Sequence, residues 1–574
     1  MIFMENNGQK GHPIGLWYLF GTEMWERFGY YLMLGIFSLY MIDGWNNGGM
    51  GFDPQKKSDI YGTYLGLVYL TPFIGGLLAD RILGYRRSII MGGIMMSAGY
   101  FCLSIHNETA FYVALMLIIL GNGFFKPNIS TLVGNLYSAD DMKDKKDAGY
   151  NIFYMGINIG AFICNFVAAY MRINYGWGHA FAAAGIGMLV GVAIFILGTK
   201  HIKHVDVVKP VQEGDMSTVR IFSMTVLPMF VFGILGYMIP GNFLGSDTND
   251  AFIIGCLPVI AFFIYLAFKS EAKESRAIKA LLAVFACVIL FFAIFHQNGD
   301  ALTVWAEDHT NREMSEGVAN VAGSVGMAQV VVNNEIVASS DSEFKATIDS
   351  MRKVEEGMPK VTKAELKAKA DFSGEISQLE SSRKYFATLP KDEVPAKGKD
   401  MKLYSTELYQ SINPFWVVTL TPIIVGFFGW MRRRKREPST PTKIAIGLVI
   451  TALSALVMVG AVFATNDMSA KAGSLWLIAS YGVITIGELC LSPMGLSLVS
   501  KLSPPRITAL MMGGFFLAIS VGNKLSGMLS SLWETIPEKQ NFFYLNFGLV
   551  MAAAIILFLM LRWLNGVMRE NNVQ

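Results

Sequence analysis

The sequence predicts an all-α polytopic membrane protein of fourteen spans, and three observations predict it. Of 574 residues, 53% are hydrophobic and only 16% are charged. Mean hydropathy is +0.42, and many apolar runs reach the ~20 residues that a helix needs to cross a bilayer. Only helices fit runs of this length in lipid, because each must satisfy its own backbone polar groups. The net charge of +3 is small and spread over short loops, so no nucleic-acid partner is expected. Cys102, Cys164, Cys256, Cys287 and Cys490 fall inside apolar segments without paired spacing and read as buried thiols, not as a disulfide framework or metal site. The opening "MIFMENNGQKGHPIG" has no apolar core with a cleavage site, so the first span is expected to act as the insertion signal.

In order along the chain, residues 1–200 are expected to form a six-helix bundle, with spans near 14–42, 58–79, 88–105, 110–137, 149–171 and 178–198. Residues 201–275 read as a linker holding two extra spans, near 219–239 and 251–268. Residues 276–308 supply the first helix of a C-terminal bundle (span 278–306), and 412–574 supply its other five, near 412–430, 443–464, 472–499, 507–532 and 543–564. Residues 309–411 are a polar insert whose "EFKATIDSMRKVEEG" and "KAELKAKADFSGEISQLESSRKYF" have helix-forming composition; a small helical cap and a partly disordered loop both remain open.

Positive charge in short loops orients the spans. "RILGYRR", "MKDKKD", "KHIKH", "KSEAKESRAIK" and "RRRKRE" all fall on one side, which is assigned to the cytoplasm, whereas "HNET" and "IPGNFLGSDTND" are nearly free of Lys and Arg. Both termini are then cytoplasmic and the insert is extracytoplasmic. "RILGYRR" and "RRRKRE" occupy equivalent loops of the two six-span groups, which points to duplicated bundles around a central cavity with a binding site near the midplane.

The run "TEMWERFGYYL" at 22–32 sets Glu23, Glu26, Arg27, Tyr30 and Tyr31 on one helical face. Each mid-membrane charge costs about 2.5 to 3.5 kcal/mol on insertion scales, so this face must meet a wet cavity or other charges. An ion cluster that only locks helices together is the bland alternative. Further charges favour the functional reading: Lys126 stands mid-span in "GNGFFKPNIS", and Glu488 in "ITIGELCLSPMGLSL". A buried carboxylate feels desolvation and a nearby cation in opposite senses, so a change of partner can switch its protonation. Asn158 and Tyr154 are i, i+4 partners, equally consistent with ligand binding and helix-to-helix bonding. His201 and His204 lie at a basic span end and read as solvated; His296 lies inside a span and can titrate there.

"EMWERFGYY" is similar to the ExxERFxYY motif of the proton-coupled oligopeptide transporters, a family of the major facilitator superfamily. "GGLLADRILGYRR" resembles the superfamily's loop motif, and "FYMGINIG" and "ELCLSPMGLSLVSKLSP" resemble the family's fifth- and tenth-helix signatures. The two extra spans resemble the prokaryotic branch; the long outer insert does not. The resemblance implies the major facilitator fold, two six-helix bundles plus two extra helices. It also implies a symporter importing di- and tripeptides with protons through a bacterial plasma or inner membrane, with no cofactor beyond the coupling proton, and working as a monomer.

By the same resemblance, Glu23, Glu26 and Arg27 serve proton coupling, Lys126 exchanges partners with those acids and the peptide carboxylate, and Glu488 meets the peptide amino group. Tyr30, Tyr31, Tyr69, Asn158 and Asn413 would bond the peptide backbone. Leu34 and His296 stand where many relatives carry an outer arginine–acid pair, and His296 then falls in the substrate pocket. Gly62 replaces a coupling histidine of animal relatives and Phe515 a frequent tryptophan, so coupling is expected to rest on Glu23, Glu26 and Glu488. The rivals are the same fold carrying another solute, such as nitrate or a secondary metabolite, and a peptide sensor that does not transport. No HExxH, GxSxG or P-loop pattern suggests an enzyme.

Overall fold

A computed structural model of the chain describes residues 11–571 apart from 139–141, 143–144, 207–217, 360–362, 391, 467 and 505–506. Part of the basic loop "MKDKKD" therefore lies outside the described residues. Helices α1 (Ile14–Ile42), α2 (Pro54–Leu78), α3 (Tyr85–Leu103), α4 (Glu108–Leu136), α5 (Lys146–Tyr175) and α6 (Trp177–Ile202) pack as the first bundle. α7 (Thr218–Met224), α8 (Val226–Tyr237) and α9 (Asp247–Lys269) follow, then α10 (Ala272–Phe295) and α11 (Ala301–Asp308). The insert holds α12 (Glu316–Ser324), α13 (Asp341–Gly357) and α14 (Lys363–Phe386). The second bundle is completed by α15 (Ile412–Arg433), α16 (Thr440–Ala464), α17 (Ser474–Leu502), α18 (Thr508–Thr535) and α19 (Lys539–Glu570). Among the described residues, eleven segments are long and apolar enough to cross a membrane; α1, α2 and α3 are three further long helices of the first bundle.

Two spans read as continuous are broken. Thr225, at φ −122° and ψ −66°, separates α7 from α8 within the span expected at 219–239. The span expected at 278–306 stops at Phe295, turns through a 3-10 segment at His296–Gly299, and resumes as α11. A break inside a membrane is tolerated where side chains take up the freed carbonyls. Here Asn298 O accepts from Thr303 Oγ1 (2.9 Å), Gln410 Nε2 (2.7 Å) and Tyr481 Oη (3.2 Å).

The insert is folded over its described residues. Ser340 and Glu343 form a reciprocal capping box that starts α13. Strands β2 (Gln329–Val332) and β3 (Asp400–Leu403) pair antiparallel, with Val331 opposite Met401. Val331, Tyr385, Leu389, Met401 and Leu403 form one small apolar core, and Val337, Ile348, Ile376 and Leu379 another. The insert is rooted where β1 (Thr310–Asn311) pairs parallel with β4 (Ala472–Gly473).

The bundles meet toward the C-terminal end of α1 and the N-terminal end of α2. Lys57 pairs with Asp300, and Ser38 Oγ donates to Gly299 O (2.7 Å). Lys524 Nζ lies 2.6 Å from Asp59. Arg172 donates twice to Glu407 (2.6 and 2.9 Å), and Asn165 Nδ2 donates to Ser411 Oγ (3.1 Å). Gly62 explains how closely α2 and α18 cross: a Cβ there would sit 2.9 Å from Gly527 Cα and 3.0 Å from Lys524 O. No side chain, histidine included, fits that crossing without moving a helix. Phe515 is core, edge-on to Phe285 at 5.6 Å.

Candidate substrate and proton site

Arg27 organises the charged face of α1. Its Nε and NH2 reach both oxygens of Glu26 at 2.5 and 2.6 Å, a two-pronged contact that leaves that carboxylate well compensated. Glu23 is held more loosely: Arg27 Nε stands 3.5 Å from its Oε1, and Oε2 has no hydrogen-bond partner. Asn122 accepts from Arg27 NH2 at 3.4 Å while donating to Val68 O at 2.9 Å, which ties α1 to α4 and α2. The guanidinium lies 4.8 Å from the Tyr30 ring centre and 5.9 Å from that of Tyr31. Glu23, Glu26, Arg27 and Tyr30 are buried.

Lys126 projects from α4 beside Pro127, which cannot donate to Gly123 O. α2 comes in close at that carbonyl, where a Cβ on Gly75 would collide with it. The same crossing sets Lys126 Nζ 4.1 Å over the centre of the Tyr69 ring. No ion pair to a carboxylate is formed by Lys126 among the described residues, yet Glu23 is within its electrostatic reach. Tyr69 in turn meets His296 edge-on at 5.8 Å, across from the first bundle to the second.

From the second bundle, Asn413 Nδ2 donates to Glu488 Oε2 (3.2 Å) and to Thr485 Oγ1 (2.9 Å). Tyr31 packs edge-on against Tyr30 at 5.2 Å. Contacts join Glu23, Glu26, Arg27, Tyr30 and Tyr31 in one group, Lys126, Tyr69 and His296 in a second, and Asn413 with Glu488 in a third. Asn158 is not joined to them: its amide donates to Tyr154 O within α5 (3.0 Å).

Sequence reasoning missed the ionic contacts between bundles: Lys57, Asp59, Arg172, Asp300, Glu407 and Lys524. A usable signal existed for three of them, since Asp59, Asp300 and Lys524 are charges inside expected spans and such residues are functional candidates by default. A buried ion pair between the bundles is formed instead by Lys57 and Asp300.

The family model described as the POT family matches residues 86–324 and 393–546. The chain belongs to the POT family. It is 29% identical to the "Uncharacterized transporter YclF" of Bacillus subtilis (strain 168) over 566 residues, covering 97% of this chain and 95% of that one. It is 30% identical to the "Di-/tripeptide transporter" of Lactococcus lactis subsp. lactis (strain IL1403) over 542 residues, covering 92% and 91%. The crystal structure of a mutant of the peptide transporter POT in complex with alafosfalin superposes with a TM-score of 0.72 at 26% identity, covering 97% of each chain. POT-family membership accounts for the two bundles, and the matched stretches leave out residues 325–392, most of the insert.

Proposed function

We propose that this protein imports di- and tripeptides together with protons across a cell membrane, as a monomer with fourteen spans and both termini cytoplasmic. The observation that carries the reading is the pairing of opposite, underused charges on facing bundles. Lys126 has a ring beneath it and no carboxylate bound among the described residues, while Glu488 accepts from the neutral amide of Asn413. A zwitterion with a carboxylate at one end and an ammonium at the other complements both. Support also comes from the Lactococcus lactis di-/tripeptide transporter and from the alafosfalin complex of a relative.

In this reading Glu23, with one oxygen unbonded, takes the proton from outside. Neutral Glu23 no longer attracts Lys126, which is then free to hold the peptide carboxylate beside Arg27; Glu488 holds the amino end. Tyr30, Tyr31, Tyr69 and Asn413 bond the main chain, so side chains are read weakly and length is read well. Inward release of peptide lets Lys126 return toward Glu23 and expel the proton. One pH unit supplies about 1.4 kcal/mol and 100 mV about 2.3 kcal/mol per proton, together several-hundred-fold accumulation of a neutral peptide.

The test is dialanine uptake into proteoliposomes with and without an inward proton gradient, for wild type, Lys126→Ala and Glu488→Ala. Accumulation that needs the gradient and is lost in both variants is expected. Folded wild type that accumulates no dipeptide would overturn the reading.

A further inference from the structure

The insert between α11 and α15 is folded, yet peptide binding makes no use of it. Its two edges differ. On the second-bundle side both of its chain ends run directly into helices, α11 and α15, and ion pairs to α11 add to that root. Arg312, almost fully enclosed, lies 3.1 Å from Glu307 and donates to Gln329 Oε1 (2.9 Å) and Tyr404 O (2.8 Å). Lys384 pairs with Asp308 at the end of α11 (2.6 Å).

On the first-bundle side, Arg172 and Asn165 bind Glu407 and Ser411 in the segment that leads into α15, and the helical part of the insert is held chiefly at one asparagine. Asn47, in the turn after α1, donates Nδ2 to Glu380 (3.0 Å), and its Oδ1 accepts from Ser377 Oγ (2.9 Å) and Arg352 NH2 (2.5 Å). Arg352 also donates to Asn46 O (3.2 Å) and pairs with Glu380 (2.9 Å). Farther along the rim, Asn174 Nδ2 donates to Gly326 O (2.7 Å). Neither apolar core of the insert includes a residue of the first bundle. An arm whose two chain ends both run into the second bundle and whose far end meets the first bundle through polar contacts has a direction built into it: those contacts can exchange for water at little net cost, whereas the chain connections at the root cannot part.

We propose that the insert is an outer strap, in which Asn47, seated between α13 and α14, holds the bundles together at their outer ends and must leave that seat for the outer mouth to open. The contacts it bridges lie at the end where Lys57–Asp300 and Ser38–Gly299 already close the two bundles. Undocking on one side only lets the strap swing with the second bundle and find the same seat again each cycle. The inference rests on alternating access by this chain, and its test is built to separate the two.

Two measurements on the full-length protein in liposomes test it. Ser38 is 1% exposed, so in a Ser38→Cys variant an impermeant maleimide added outside reads opening of the outer mouth without any substrate. Adding Arg352→Ala should speed that labelling by ~3-fold or more, because a seat that has lost its arginine holds the closed state less well. In a separate Asn47→Cys, Ser377→Cys protein, a short bis-thiosulfonate linker should stop gradient-driven dialanine uptake, and cleavage by reductant should restore it. Unchanged labelling in Arg352→Ala, or full uptake by the linked protein, would overturn the strap. Labelling holds whatever solute the cavity takes, and uptake by the unlinked protein tests the peptide reading separately.

Discussion

Asn413 is the smallest part of the site whose contribution can be isolated. Its amide gives Glu488 a hydrogen bond from a neutral group at 3.2 Å, and Thr485 fixes that amide at 2.9 Å. A hydrogen bond to a charged group is worth ~1.5–3 kcal/mol, so Asn413→Ala is expected to raise the KM for dialanine by ~10-fold or more while leaving the thermal unfolding midpoint nearly unchanged. Equal KM values in a concentration series of proteoliposome uptake would remove Asn413 from the site. At this scale the α1 cluster was legible because three charges interrupt an apolar run, and Lys126 and Glu488 because each stands alone in one. The bonds were less legible. Lys57 and Asp300 are 243 positions apart, and Lys57 falls one residue before an expected span, where a lysine needs no partner. Asn158 shows the converse: its spacing to Tyr154 was read correctly, and one amide hydrogen goes to the Tyr154 carbonyl inside its own helix, with the second hydrogen and Oδ1 left over.

Among the elements, the junction of α11 with the insert carries a titrating group of its own. His309 follows α11 directly and sits beside the rings of Trp305 (5.5 Å) and Trp533 (5.9 Å). Burial lowers its pKa from 6.5 to about 4, with Asp308 opposing. Between those two values the unfolded junction binds the proton that the folded one refuses, so the contribution of His309 to stability is present above pH 6.5 and lost as pH falls toward 4. Amide hydrogen exchange along 309–313 should therefore quicken from about pH 7 to about pH 5, beyond the intrinsic change, and the excess should vanish in His309→Gln. A flat excess in wild type would mean that the ring is not sealed. The helices of the insert were legible from composition, and α13 has the Ser340-to-Glu343 cap that its sequence spells out. The break at His296–Gly299 was not legible. The Asn298–Gly299 dipeptide is a local turn signal that an apolar span outweighs, and what holds the break open is Thr303, Gln410 and Tyr481, two of which lie more than a hundred positions away.

For the whole molecule, the Lys57–Asp300, Lys524–Asp59, Arg172–Glu407 and Asn165–Ser411 contacts joining the bundles gather at one end, which closes the arrangement there; on the proposed orientation that end is the outer one. Two bundles were legible from span count and repeated basic loops, but the state they adopt was not, because it depends on contacts between helices far apart in sequence. The Lys57–Asp300 pair shows why such a closure uses charge. Both side chains are almost fully buried, at 4% and 0% exposure, and each is well hydrated once the mouth opens. An apolar pair of similar size packs as well when closed but must expose its surface on opening, at ~1.5–3 kcal/mol for each side chain. Removing one charge alone leaves the other buried without a partner, a cost of ~3–5 kcal/mol that opening would relieve. The two changes therefore act in opposite directions. Asp300→Leu alone should lower thermal stability and populate the outward-open state. The double variant Lys57→Met, Asp300→Leu should unfold no earlier than wild type yet take up dialanine at least ~10-fold more slowly, since the closed state is now favoured by more than the ~1.4 kcal/mol that a tenfold change requires. Spin labels at Gln55 and Glu534, exposed on opposite bundles, read the state directly: long distances should grow in the single variant and shrink in the double. A double variant that opens as readily as wild type would show that the charges at this closure do not serve reversibility.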